Sequence, residues 1–121
     1  MPQYLIRQDE VPTYSPPKHQ KTVNRRLVGR QNVGSENLEV VLGLVHPGGM
    51  AEMHSHTDLE QVVYILEGKG EVRVGDDFKS ECGPGDTLYF PKQTPHYLAA
   101  IGDQPLKCLV IYGPPMTSWE E

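Results

Sequence analysis

Long apolar runs and an excess of basic side chains are both missing from this sequence. No apolar stretch approaches the roughly 20 residues that span a bilayer, and the N-terminus lacks the apolar core of a secretion signal. The 11 basic and 16 acidic side chains are spread along the chain and give a net charge of −5. This distribution offers no electrostatic footprint for nucleic acid or an anionic membrane. We therefore expect a cytoplasmic protein with neither nucleic-acid nor membrane partners.

Cysteine is also scarce, and internal repeats, heptads and low-complexity tracts are absent. The two cysteines, Cys82 and Cys108, have no metal-type spacing. In a reducing cytoplasm they are predicted to be two small buried or half-buried thiols rather than a disulfide. No helix-turn-helix pattern is present that would add a DNA-binding module.

Turn residues are abundant, with 12 glycines and 11 prolines in 121 residues, and they separate short apolar runs. A chain of this length forms one domain with a modest core. β-branched or alternating composition predicts strands at 38–45, 61–67, 71–74, 78–82, 87–90, 96–101 and 106–113. Short strands at close spacing predict an all-β sandwich or small barrel of antiparallel strands, with minimal helix.

Residues 1–36 differ in texture from the rest of the chain. They are polar, carry adjacent prolines at Pro16 and Pro17, and show no sustained periodicity. We expect an irregular N-terminal arm with short extended segments such as QYLIR and RRLVG, packed on its own barrel or added to a partner. The barrel itself is assigned to residues 37–115, and residues 116–121 form a C-terminal tail. HPGGM is expected to end the first strand after residue 45.

A pair of histidines on alternate residues, His54 and His56, is the first candidate for chemistry. In an extended segment, residues i and i+2 share a face and lie roughly 6 to 7 Å apart. Two imidazoles in this arrangement can converge on one metal ion, although the pair alone is equally compatible with two polar loop residues.

The histidine pair is part of a longer pattern that resembles the cupin superfamily. Gly48 is followed by GMAEM and then by His54-Ser55-His56, while later Gly85 is followed by DTLYF, PKQTP and His96. The resemblance covers residues 38–113. It implies a small cupin jelly-roll barrel in which the histidines and an acid of the two motifs converge on a divalent metal.

The family motif places an acidic ligand after the histidine pair, where this chain has Glu60 followed by Gln61. The gaps TDLE before Gln61 and VVYILE after it match the family spacing, and Gln61 shares its strand face with Val63 and Ile65. The pattern therefore favours Gln61 over Glu60, which remains the alternative.

The predicted metal ligands are accordingly His54, His56, Gln61 and His96. Three imidazoles and an amide suit one divalent transition metal ion, with Fe, Mn, Ni, Cu and Zn all compatible. Because bound imidazoles must be neutral, we expect metal occupancy to fall as the pH drops towards about 6.5 or below.

Gln93 replaces a glycine of the family pattern, and Ala100 stands where the family often has asparagine, which predicts a slightly larger cavity there.

Fold alone does not decide function. The resemblance implies either a small metalloenzyme of the oxygenase, isomerase or lyase type, acting on a compact oxygen-rich substrate, or a non-catalytic cupin that binds or senses a small ligand. His46, Glu52 or a tyrosine are the candidate acid–base groups. His19 is interpreted as a loop residue. A homodimer is expected, since strand 38–45 is apolar on both faces.

Overall fold

The protein is described here by a computed structural model that covers residues 3–116. A short 3₁₀ helix occupies Gln8–Glu10, and the only other helix in the described part is α1, Arg30–Val33. Within residues 3–116 there are nine strands: β1 Thr13–Tyr14, β2 His19–Val28, β3 Glu39–His54, β4 Glu60–Glu67, β5 Lys69–Val74, β6 Phe78–Cys82, β7 Thr87–Phe90, β8 His96–Ile101 and β9 Leu106–Gly113. Over residues 3–116, no helix has the length and apolar composition needed to cross a bilayer.

The strands form one curled, entirely antiparallel sheet. Its order is β6-β5-β8-β3-β9-β4-β7, with β2 paired to β3 and β1 paired to β2. The sheet curls so that one face becomes an interior. This confirms the predicted all-β architecture, and the strands predicted from β6 to β9 have the predicted bounds.

Side-chain alternation places the core on the concave face of the sheet. In β4, Val63 and Ile65 are buried while Tyr64 is exposed, as period-two geometry requires. Burial of each large apolar side chain contributes about 1.5 to 3 kcal/mol. The core cluster comprises Val41, Val45, Leu59, Val63, Ile65, Val72, Cys82, Phe90, Leu98, Ala100, Leu106, Cys108, Val110 and Tyr112.

The predicted break after residue 45 is wrong, because β3 continues through HPGGM to His54. The strand changes partner instead: its first half pairs with β9 and its second half with β8, while β2 follows both halves. Gly48 adopts a positive φ of 82°, and a Cβ on Gly49 would lie 2.6 Å from the carbonyl oxygen of Gln20. Both glycines therefore serve to bend a continuous strand rather than to end it.

The N-terminal region contributes more regular structure than the short extended segments expected. Strand β2 is ten residues long and includes most of RRLVG, whereas QYLIR contains no strand. A register shift between Gln20 and Thr22 forms a bulge, at which Lys21 adopts a φ of 53°. The boundaries at 36/37 and 115/116 remain predictions, and residues 117–121 of the predicted tail lie outside the described residues.

A buried ion-pair cluster joins the N-terminal strands to the end of the chain. Glu39 has no exposed side-chain surface, and its Oε2 accepts a hydrogen bond from Arg26 Nε at 3.1 Å. Its Oε1 accepts the backbone N–H of Met116 at 3.0 Å. The Arg26 guanidinium also lies 5.1 Å from the ring centroid of Tyr14. One carboxylate thus ties β2 and β3 to the segment that follows β9.

Candidate metal centre

Three histidines meet at one end of the barrel interior because adjacent strands deliver them. His54 ends β3, His96 begins β8, and the two are cross-strand partners; His56 follows in the loop after β3. One ring nitrogen from each of the three residues lies within 4.8 Å of the others. The ring centroids are 4.5 Å apart for His54 and His96, 5.0 Å for His54 and His56, and 5.4 Å for His56 and His96.

Backbone carbonyls orient two of these rings and determine their tautomers. The Nδ1 of His54 contacts the carbonyl oxygen of Glu52 at 2.5 Å, and the Nδ1 of His96 contacts that of Thr94 at 3.1 Å. A carbonyl oxygen can only accept, so Nδ1 carries the proton in each ring and Nε2 keeps its lone pair. This is the hydrogen-bonding arrangement that typically prepares histidine for a metal ion.

Burial keeps the centre neutral in the absence of metal. Desolvation is the main cause that lowers the pKa of His54, and it lowers the pKa of His96 to about 3, with neighbouring His54 acting in the same direction. The imidazoles of His54 and His96 are therefore unprotonated at neutral pH, as metal binding requires. The pH range in which protonation competes with a metal lies lower than unperturbed histidines would predict.

The two candidates for the fourth ligand lie on opposite faces of β4. Gln61 is buried, with 8% of its surface exposed, and its Oε1 has no hydrogen-bond partner among the described residues. Glu60 is exposed, and its Oε2 accepts a hydrogen bond from the Tyr89 hydroxyl at 3.1 Å. The interior position and the unsatisfied amide oxygen both belong to Gln61, although ligation by Gln61 stays a prediction.

A small cavity of about 40 Å³ adjoins these groups. Its polar lining consists of His19, Thr22, Asn24, His54, Gln61 and His96, together with the Tyr112 phenol and the Cys108 thiol. No carboxylate or cationic side chain of residues 3–116 lines it. Since one water occupies about 10 to 15 Å³ on this measure, the cavity has room for a few atoms beside the histidines.

The residues present fit a divalent cation. Buried polar atoms normally have a hydrogen-bond partner, yet His96 Nε2 and Gln61 Oε1 have none among the described residues. Both atoms are neutral lone-pair donors, so hydrogen-bond acceptors cannot satisfy them and a cation can. Imidazole nitrogen and amide oxygen are ligands that first-row transition metals accept.

The turn before His96 departs from the family pattern at Gln93, and the structure shows what the residue does there. Gln93 adopts a φ of 62°, in the left-handed region that favours glycine. Its backbone N–H donates to the carbonyl oxygen of His56 at 2.6 Å. The turn thus holds the loop that carries His56, and the glutamine side chain takes no part in that hydrogen bond.

Other predicted candidates lie away from the cavity. His46 and Glu52 are exposed and do not line it, and neither do Tyr64, Tyr89 and Tyr97. Ala100 belongs to the apolar core and not to the cavity wall, so the expected enlargement there is absent from the described lining. The two cysteines are free and buried, as predicted.

His19 is the residue that sequence reasoning missed. It begins β2 instead of lying in a loop, pairs with Ala51, and lines the cavity with its ring centroid 5.6 Å from that of His54. Alternation from buried Thr22 and Asn24 would put Gln20 inside and His19 outside, but the bulge at Lys21 reverses the parity. No local sequence pattern predicts the positive φ of Lys21, because lysine rarely adopts it.

Comparison with known proteins identifies the family. A family model described as the cupin domain matches residues 41–112. The chain belongs to the cupin family. A solved cupin fold, the polyketide cyclase RemF from Streptomyces resistomycificus, superposes with a TM-score of 0.79 at 24% identity, covering 92% of this chain and 79% of that one. This confirms the predicted jelly-roll fold.

Two curated relatives show closer sequence similarity. An uncharacterized protein of Methanocaldococcus jannaschii is 42% identical over 72 residues, which cover 60% of this chain and 57% of that protein. An L-ectoine synthase of Bordetella petrii is 32% identical over 77 residues, which cover 63% of this chain and 56% of the synthase. This cupin therefore matches only a little over half the length of these relatives.

Proposed function

We propose that this cupin is a small metal-dependent enzyme whose single divalent transition metal ion is held by the imidazoles of His54, His56 and His96 and by the amide oxygen of Gln61. The observation that carries the proposal is the convergence of three imidazoles, with one ring nitrogen of each within 4.8 Å of the others, beside a cavity whose wall includes the unsatisfied amide of Gln61. Two similar proteins, an L-ectoine synthase by sequence and a polyketide cyclase by fold, are enzymes by name.

The donor set determines the character of the proposed centre. All four ligands are neutral, so a bound ion keeps its full charge and would act as a Lewis acid on a carbonyl or hydroxyl oxygen. The apolar wall, which includes Val63, Phe90 and Val110, would limit the contact of bulk water with that ion. A cavity of about 40 Å³ admits a compact substrate, or only the reacting end of a larger one.

A second function, binding or sensing a small ligand without turnover, is favoured by one observation. The acid–base candidates His46 and Glu52 are both exposed and neither lines the cavity. The tyrosine that does line it is Tyr112, and burial raises the pKa of its phenol so that it stays protonated. Catalysis would then depend on His19 or on the metal itself.

Elemental analysis joined to an activity screen tests the proposal. We expect about one transition metal ion per purified chain, and its loss in His54→Ala. Metal-loaded protein is then assayed for oxygen uptake and for conversion of small hydroxy acids and diketones. Turnover that disappears in His54→Ala supports the enzyme. Stoichiometric metal with no turnover across the panel would favour the binding function, and a metal-free wild-type protein would contradict both.

We further propose that the protein is a cytoplasmic homodimer. Across the outer face of the sheet, Leu42 pairs with Leu109 and Leu109 with Tyr64, while Val40 pairs with Ile111. Tyr64 and Ile111 are 42% and 37% exposed, which leaves an apolar surface that a second copy would cover. Ile111→Glu should convert a dimer to a monomer in sedimentation velocity, and a monomeric wild-type chain would refute the dimer.

The proposed cytoplasmic location is supported by the two cysteines, which are free and buried and so agree with a reducing compartment.

A further inference from the structure

His19 shares a structural feature with two of the proposed metal ligands. Its Nδ1 lies 2.8 Å from the carbonyl oxygen of Pro17, two residues earlier in the chain. His54 and His96 make the same contact to the carbonyl of the residue two positions before each of them. In all three rings Nδ1 must therefore donate, which leaves Nε2 with an available lone pair.

The His19 ring lies in the cavity wall, outside the group of three histidines that would hold the metal. His19 lines the cavity with His54, Gln61 and His96. It does not join His54, His56 and His96 in the group of residues whose ligand atoms lie within 4.8 Å of one another. Its ring is also in the wall of a second, smaller cavity lined by Tyr14, Pro16 and Lys18. His19 therefore lies where it can contact a molecule bound in the cavity, rather than the metal itself.

The chemistry of the cavity indicates what His19 would bind. No carboxylate or cationic side chain among the described residues lines it, so apart from the charge of the metal itself, the wall discriminates between occupants through hydrogen-bond polarity. An imidazole Nε2 with a lone pair is an acceptor and requires an O–H or N–H donor. A molecule held by a metal through oxygen atoms most readily presents such a donor as a hydroxyl group.

We propose that His19 is a substrate-binding residue of this centre, whose Nε2 accepts a hydrogen bond from a hydroxyl group of the compact molecule held beside the metal. The proposal rests on the proposed metal-dependent function and specifies its ligand as a hydroxyl-bearing one. His19 reaches the cavity only through the bulge at Lys21, so the N-terminal strand completes the ligand site of the barrel.

Cobalt(II)-loaded full-length protein provides the test, with glycolate and acetate as probes that differ by one hydroxyl group. Binding of each probe is followed by the visible absorption of the bound cobalt. In His19→Phe, which keeps a ring in the wall, we expect glycolate to bind about tenfold more weakly, the equivalent of one hydrogen bond. Acetate affinity and the amount of cobalt per chain should stay at wild-type values.

Two further variants provide the controls. His19→Gln retains an acceptor oxygen and should recover part of the glycolate affinity, whereas His46→Phe changes an exposed histidine outside the cavity and should have no effect. Loss of cobalt from His19→Phe would overturn the proposal by making His19 a metal ligand. An equal change for both probes, or none, would overturn it by reducing His19 to a wall residue. A wild-type chain that binds no cobalt fails before any titration and refutes the metal site itself.

Discussion

Two buried polar clusters in this protein differ in whether their polar atoms have hydrogen-bond partners. In the ion-pair cluster, both carboxylate oxygens of Glu39 accept hydrogen bonds, one from Arg26 and one from the Met116 backbone. In the histidine centre, the only side-chain hydrogen bonds of His54 and His96 within the described residues hold their Nδ1 atoms, and Gln61 Oε1 has no partner there. The first cluster is complete without a ligand, and the second is not.

The difference separates stabilising polar groups from functional ones. A buried charge is tolerated when it is paired and hydrogen-bonded, and removing one partner is costly. A buried acceptor atom that receives no hydrogen bond lowers the stability of the free protein. Such atoms are retained where a bound ligand interacts with them. The ion-pair cluster therefore stabilises the fold, whereas the histidine centre is the group that we propose to hold a ligand.

The largest effect is expected where the complete cluster is broken. Glu39→Ala removes the carboxylate that accepts hydrogen bonds from Arg26 Nε and from the Met116 N–H, and should lower the free energy of unfolding by about 3 kcal/mol. Glu39→Gln keeps one acceptor oxygen for two donors and should cost less. Urea unfolding of the metal-free protein measures both. A loss for Glu39→Ala that is no greater than for an exposed substitution such as Glu81→Ala would erase the distinction between the clusters.

The incomplete cluster should respond in metal affinity. Gln61→Glu adds a negative charge to a neutral ligand set and should tighten binding by about tenfold or more, whereas Gln61→Leu should weaken it by a similar factor. The matched control is Glu60→Gln, one residue along on the outer face, which should leave affinity unchanged. Competition with a metal chelator measures all three. Weakening by Glu60→Gln but not by Gln61→Leu would reverse the assignment of the fourth ligand.

The pH dependence of stability should come from the histidine centre. The pKa of His96 is about 3 in the folded, metal-free protein and about 6.5 when unfolded. Between those values the unfolded chain binds a proton that the folded chain does not, so stability is full above pH 6.5 and falls as the pH decreases. This one group predicts a loss of about 1 kcal/mol between pH 7 and pH 5.5.

Chemical unfolding of metal-free protein at the two pH values measures that loss. His96→Phe, which keeps an aromatic ring beside the stacked ring of Phe90, should reduce that loss by the His96 share of about 1 kcal/mol, and any remainder comes from His19 and His54, whose pKa values burial also lowers. A wild-type stability that is flat across this range would show that the centre is not held in its neutral form by burial.

The smallest effect is expected at the turn that supports the centre. Gln93→Gly relieves a left-handed backbone and should raise the free energy of unfolding by up to about 1 kcal/mol. Gln93→Ala retains the Cβ and should give no gain. Metal content should be the same in both variants, since the hydrogen bond to His56 uses the backbone N–H. Loss of metal from the glycine variant would mean that the glutamine side chain positions the ligands.

Local patterns predicted most strands and part of the centre. Motif spacing and alternation predicted Gln61 inside and Glu60 outside, and burial alternates regularly from Glu60 to Ile65 in β4. The extent of β3 was misjudged, since Gly48 and Gly49 normally indicate a turn and here allow a bend within a continuous strand. The bounds of β3 were therefore predicted wrongly because of a backbone irregularity that composition does not reveal.

The remaining features depend on contacts between distant segments. His19 faces the cavity because of a bulge that reverses strand parity. Glu39 and Arg26 are separated by thirteen positions and a helix, and their pairing appears only when β2 lies against β3. Neither arrangement has a local sequence pattern, so the ion pair and the fourth histidine could be found only in the structure.

The metal content of three proteins purified side by side tests the central claim most directly. Elemental analysis should give about one divalent transition metal ion per folded chain for wild type and for Glu39→Gln, and none for His54→Ala. The difference is expected because the metal is proposed to bind the histidine centre and not the ion-pair cluster. Metal retained by His54→Ala at the wild-type level, or its absence from wild type after incubation with cobalt, would contradict the account.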